Sequence, residues 1–313
     1  MKQAWYTKRN EMSRKHRNLS FYNIIPLILL LLVLFITGLQ LNLLSTQLLI
    51  SDIKGRGNNY DSFREMKLSV ENIKKSQKRM DDLCKKYPSL KRAQGVNSIA
   101  YLTFNMLAKD FDLEEEKLID ETVFIKAIPK LIQSSGYQKL YGYYKAVLND
   151  IQYFPVPRLE GDEEDISYVD TWNELRRYGG KRRHEGTDIM AINNKRGYYP
   201  ILSITDGVIE KLGWLEQGGY RVGIRSPSGG YFYYAHLSSY ADGIKKGDKV
   251  IAGQLLGFMG DSGYGKEGTV GQFEVHLHLG IYVDTESKEL SVNPYHILQL
   301  LESRRLSCPK MED

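Results

Sequence analysis

Cysteine is almost absent from this chain. The 313 residues hold only Cys84 and Cys308, far apart and outside any Cys-x-x-Cys pair. No disulfide framework is expected from them, and no thiolate in a metal site. Histidine is scarce too, with six copies, so any clustering of them carries weight. Nor is there an excess of one charge: 43 Lys and Arg stand against 38 Asp and Glu, a formal net charge of +5. No stripe of Arg and Lys suits a nucleic-acid groove, so no nucleic acid is expected as a partner. The slight basic excess suits an anionic surface such as a membrane or a wall polymer.

Long apolar runs are missing as well, with one exception. Residues 1–20 form a basic tail, with Lys2, Lys8, Arg9, Arg14, Lys15 and Arg17 against Glu11 alone, and residues 21–44 then carry no charge. About 20 helical residues span the ~30 Å hydrocarbon core, so this run predicts a transmembrane segment. Pro26 is read as lying near the helix start, where proline is best tolerated. The basic flank predicts a cytoplasmic N-terminus and an extracytoplasmic remainder. A cleaved signal peptide has a shorter apolar region and a small-residue site beyond it, so an uncleaved anchor is favoured.

Residues 45–59 read as a polar linker with Gly55 and Gly57. Phe63, Met66, Val70, Ile73, Met80 and Cys84 then recur at three and four, interrupted by Gln77. That spacing suits a short coiled coil, and so a weak homodimer through the 60–84 helix, or else a helix packed on a neighbour. Further helices are predicted over 96–108, 114–128 and 136–150. Residues 60–150 therefore read as a small all-helical module that spaces, shields or docks the domain C-terminal to it. Phe154-Pro155-Val156-Pro157 and the acidic stretch from Glu160 to Asp165 mark a boundary. From 155 to 300 the chain alternates with period two between Gly-rich turns, predicting a mainly antiparallel β domain with a hairpin over 219–236. A polar, poorly ordered tail is expected over 301–313.

Four of the six histidines fall in three short motifs of that β domain: Arg183-His184-Glu185-Gly186-Thr187-Asp188, Tyr233-Tyr234-Ala235-His236-Leu237 and Gln272–Val283. In the last, Phe273, Val275, Leu277, Leu279, Ile281 and Val283 would face a core, leaving His276 and His278 on the polar face roughly 7 Å apart. Imidazole is the commonest ligand for zinc. His184, Asp188 and one histidine of the pair would give a three-ligand site open to water, the catalytic arrangement. Two histidines then remain for proton transfer and oxyanion stabilisation. Glu185 lacks a second histidine at helical spacing and so makes no His-Glu-x-x-His site. His296 reads as a surface or domain-edge residue. Tyr231, Tyr233 and Tyr234 read as strand packing, with a cleft rim as the alternative.

In their order and spacing, His-x-x-x-Asp, Tyr-x-His-Leu and His-Leu-His resemble the LytM/lysostaphin-type zinc metallopeptidases. So does the glycine-rich stretch with Gly247, Asp248, Gly253, Gln254, Gly257, Gly260 and Gly263. The resemblance covers about residues 165–298. It implies a LytM-type, β-sandwich-like catalytic domain with Zn2+ held by His184, Asp188 and His278. His236 and His276 would be the catalytic pair, and peptidoglycan peptides the substrate. Leu279-Gly280 departs from the aromatic and acidic residues that often follow the last histidine. The family also contains silent domains that act as scaffolds or activate other hydrolases. Survival of all five positions favours an enzyme, either active or held latent by the helical module.

Overall fold

A computed structural model of the chain describes residues 2–161, 165–177 and 180–309, with side chains from Ile24 onward. It divides into two compact units, residues 1–52 and 53–313. The first is one helix, α1 (Lys2–Gly55). From Ile24 to Leu44 its large apolar side chains stand exposed. Within Ile24–Gly55 an 18-residue window has a mean hydropathy of 2.7, and the helix has the length to cross a membrane, a test that a signal sequence also passes. The helix continues through much of the expected linker. Pro26 lies well inside it rather than in its first turn.

The second unit opens with helices. A five-residue helical segment at Tyr60–Arg64 precedes α2 (Val70–Lys86), α3 (Ser98–Ala108), α4 (Glu121–Leu131) and α5 (Ser135–Leu148). The continuous helix expected from residue 60 is broken at Met66, whose φ is +50°, and Ser69 caps the new start by accepting from the Asn72 amide. Phe63, Met66, Ile73 and Met80 are all buried within the chain. The stripe read as a dimer seam is thus already occupied by intramolecular packing, and a homodimer through it has no support. The segment from Glu114 to Asp120 is not helical; α4 starts only at Glu121, with Asp120 as its cap.

The sheet, ten-stranded among the described residues, is antiparallel throughout. Its strands are β1 (Ile166–Ser167), β2 (Thr187–Ala191), β3 (Pro200–Leu202), β4 (Gly207–Leu215), β5 (Gly219–Arg225), β6 (Tyr231–Tyr240), β7 (Lys249–Val250), β8 (Leu255–Met259), β9 (His276–Asp284) and β10 (Glu289–Val292). The main path runs β7-β4-β5-β6-β9-β2-β1, with β8 pairing β6 and β3, and β10 pairing β9. The expected hairpin is β5 and β6. In β9 the alternation holds from Leu277 to Val283, whose apolar members are buried. Residues 272–275 precede the strand. Phe273 therefore escapes the period-two rule and packs at ring distances of 4.6 Å from His236 and 5.0 Å from His276, not in the core.

Helices and sheet share polar contacts. Arg64 donates to the Ser291 carbonyl at 2.8 Å and hydroxyl at 2.7 Å, and to Glu185 at 3.2 Å. Asp150, just beyond α5, accepts from the amide and hydroxyl of Ser228 in the β5–β6 turn. His296, read as a surface residue, is buried in α6 (Tyr295–Leu301) and pairs with Glu114 at 2.8 Å. The expected loose tail is ordered as far as it is described. Ser307–Cys308 pairs in parallel with Arg158–Leu159, and Arg305 binds Asp165 and the carbonyls of Val156 and Pro157. Residues 310–313, and 162–164 of the acidic stretch, lie outside the described residues.

Candidate metal centre and cleft

Asp188 on β2 and His278 on β9 are directly opposed cross-strand partners. Such residues project to the same face of a sheet with their Cβ atoms ~4.5–5.5 Å apart. His184 reaches the same point from the segment just before β2. His184 Nε2, Asp188 Oδ1 and His278 Nδ1 form a triangle with sides of 2.9, 3.0 and 3.1 Å. Among the described residues these three form the group of His, Cys, Asp and Glu that could hold a metal ion.

The surroundings hold the triangle in place. His184 Nδ1 lies 3.0 Å from the Thr171 carbonyl. Donation there fixes the proton on Nδ1 and leaves the Nε2 lone pair for an ion, the usual arrangement of a ligating imidazole. Arg176 donates to the second Asp188 oxygen at 2.7 Å. Burial opposes ionisation of Asp188, but the close contacts with His184 and His278, and the electrostatic influence of His278 and His276, hold its carboxyl well below the usual range. Burial likewise lowers the His278 pKa, with Asp188 opposing and His184 and His276 adding to the fall. Gly186 is required by close approach: a Cβ there would lie 2.5 Å from both His278 Cε1 and the Leu279 carbonyl oxygen.

His236 and His276 stand beside the triangle with ring centroids 4.7 Å apart. His276 Nε2 is 3.8 Å from Asp188 Oδ1, and its Nδ1 lies 2.7 Å from the Glu274 carbonyl. His236 Nδ1 lies 2.8 Å from the Ser262 carbonyl. Both carbonyls accept from Nδ1–H, which leaves each Nε2 as a lone pair. Burial, reinforced by His276 and His278, lowers the His236 pKa well below its ordinary value, so the ring is neutral at neutral pH. His236 occupies a β-bulge with φ +63°, where β6 leaves β9 and turns to β8. Bulges of this kind re-aim a side chain next to a site.

The five residues line a cleft of about 690 Å³. Its floor is aromatic. Tyr231 lies across Gly223, where a Cβ would meet its hydroxyl at 1.9 Å, and Tyr282 lies across Gly280, where a Cβ would meet its ring at 2.7 Å. Tyr233 sits between them and His278, its ring 6.0 Å from that imidazole. Tyr234, by contrast, is fully buried and accepts from the Ile204 amide. Sequence reasoning missed Arg176, Thr171 and Phe273 as neighbours of the site. Arg176 and Thr171 belong to no motif, and Phe273, inside the third motif, was expected in the core.

Residues 182–294 match peptidase family M23. Over 170 residues the chain is 42% identical to the L-Ala–D-Glu endopeptidase of Bacillus subtilis, covering 54% of this chain and 49% of that protein. It is 31% identical over 102 residues to the glycyl-glycine endopeptidase ALE-1 of Staphylococcus capitis, 32% of this chain and 26% of that one. The chain thus spans about half or less of these relatives' length. A crystal structure from Ruminococcus gnavus, provisionally named the glycyl-glycine endopeptidase LytM, superposes with a TM-score of 0.63 at 41% identity, over 80% of this chain and 94% of that one.

Gly186→Ala is expected to displace the His278 ring and weaken binding of a divalent cation by about 10- to 100-fold, as loss of an orienting contact does. Titration of the metal-free protein with zinc checks this; unchanged affinity would show that Gly186 does not set the ring position.

Proposed function

The chain belongs to peptidase family M23, and on that premise we propose that it is a membrane-anchored, extracytoplasmic zinc endopeptidase acting on peptidoglycan peptides. The observation that carries this reading is the convergence of His184, Asp188 and His278 on one point, with His236 and His276 beside it. Two imidazole nitrogens and a carboxylate oxygen are a donor set for zinc. A tetrahedral ion with ~2.1 Å bonds spaces its ligands by roughly 3.4 Å, a few tenths from the distances found. When bound, zinc would supply a Lewis acid and lower the pKa of a water to ~7.

The chain's own residues account for the other requirements of amide hydrolysis. His236, kept neutral by burial, is suited to accept a proton at Nε2 from the attacking water. His276, hydrogen-bonded through Nδ1 and turned towards the ligand triangle, is suited to steady the oxyanion once its Nε2 carries a proton. Phe273 packs on both rings, and Tyr264 on His236 and Phe273. The tyrosine floor offers a surface on which an extended peptide can lie. The relatives named above, one for an L-Ala–D-Glu bond and one for glycyl-glycine, support a stem or cross-bridge peptide as substrate.

His278→Ala is expected to abolish zinc retention and activity together. His276→Ala is expected to keep zinc and lose about 10²- to 10⁴-fold in turnover. Metal content and release of new amino termini from purified sacculi measure both. A zinc-loaded wild type that releases none would favour a silent, scaffolding domain instead.

Anchoring by residues 21–44 is supported by the uncharged helix and the basic residues before it. Protease added to intact protoplasts is expected to remove residues 53–313 while the N-terminal tail survives; a shortened, freely soluble mature chain would mean a cleaved signal.

A further inference from the structure

The cleft wall carries cations that the proposed hydrolysis does not use. Arg176 is committed to Asp188 at 2.7 Å, and Arg225, outside the lining but stacked on Tyr231, to Glu210 and Asp284 at 2.7 and 3.0 Å. Arg182 and Arg221 also line the cleft, yet neither has a carboxylate partner among the described residues. Arg182 donates only to the Tyr264 hydroxyl at 3.2 Å. Its Nε, and NH1 of Arg221, are withdrawn from solvent with no acceptor. An unmet guanidinium donor of this kind is costly, and the cost is relieved when an acceptor arrives.

The two arginines converge on one place. Both line the cleft together with Tyr233: Arg221 is two residues from Gly223, the cross-strand partner of Tyr233, and so shares its face of the sheet, while Arg182 holds the Tyr264 hydroxyl, whose ring lies 6.0 Å from His236. Tyr233 is the floor residue beside His278. Carboxylates of the cleft lie elsewhere or are engaged: Asp188 sits in the ligand triangle, Glu185 pairs with Arg64, and Glu289 lies at the far end beside Asp284 and Arg225.

We propose that Arg182 and Arg221 form a carboxylate-binding subsite, so that the peptide taken by this cleft carries a free carboxylate within a residue of the bond that is cut. Cleavage rests on the endopeptidase reading, whereas binding rests on the unpartnered arginines alone. A planar guanidinium matches a carboxylate in two parallel hydrogen bonds, and a pair of them beside Tyr233 discriminates an acid from its amide. An acidic stem peptide fits this subsite, whereas a run of glycines offers it nothing.

The test uses the full-length zinc protein and two synthetic stem peptides, L-Ala-γ-D-Glu-L-Lys-D-Ala and the same peptide with the glutamyl α-carboxylate amidated, both with blocked C-termini. Dissociation constants and kcat/KM are measured for each. Wild type is expected to favour the acidic peptide by about 10- to 100-fold in both quantities, the worth of one or two charge-assisted bonds. In Arg182→Gln and Arg221→Gln the ratio is expected to fall, in the double variant to approach one, and in the Lys variants to be partly kept. Retained zinc content shows that the variants fold. Equal handling of the two peptides by wild type, or a preference that survives the double variant, overturns the proposal, as does failure to bind either. Arginine-dependent binding of the acidic peptide without cleavage would keep the subsite and sink the endopeptidase reading.

Discussion

The site depends on a single cross-strand pair. Asp188 and His278 face each other across β2 and β9, so backbone ladder bonds, not loop packing, set the separation of two ligand atoms. A slip of one residue in that register would turn His278 into the core and bring a leucine to the cleft. The buried leucines at 277 and 279 make such a slip costly. The same rigidity has an electrostatic consequence. A carboxylate fixed in a buried place must be compensated, and Arg176 donates to the Asp188 oxygen that faces away from the two imidazoles.

Glycine shapes the rest of the cleft by leaving room. Gly186 lets His278 lie against the backbone, while Gly223 and Gly280 let Tyr231 and Tyr282 lie flat over the sheet. The departure Leu279-Gly280 acquires a physical meaning here. Leu279 fills the core and Gly280 vacates the space that Tyr282 takes, exchanging a polar group after the last histidine for an aromatic floor.

The strand with its two histidines was legible in the sequence because period-two burial is a local property, and Leu277, Leu279, Ile281 and Val283 obey it. The turn at 227–230 was legible for the same reason. His236 was readable as a motif but not as a geometry: nothing local announces a left-handed histidine in a bulge, which arises from β6 pairing first with β9 and then with β8. Phe273 misled because it continues the strand's alternation in sequence while lying ahead of the strand itself. The long helix expected from residue 60 failed at Met66, where burying Phe63 and Met66 within the chain outweighed helical periodicity. His296 looked exposed because its partner, Glu114, lies far back in the helical segment. Arg176, Arg182 and Arg221 are ordinary basic residues in sequence, and only the fold turns them towards one cleft.

The central claim is that one zinc ion is held by His184, Asp188 and His278 in a site open to water. Zinc K-edge absorption spectroscopy on the purified full-length protein tests it most directly. Four light ligands are expected at about 2.0–2.1 Å, two of them imidazoles, with loss of one imidazole signature in His184→Ala but none in His236→Ala or His276→Ala. A spectrum that loses an imidazole in His236→Ala or His276→Ala, or that shows sulfur ligation, would contradict it.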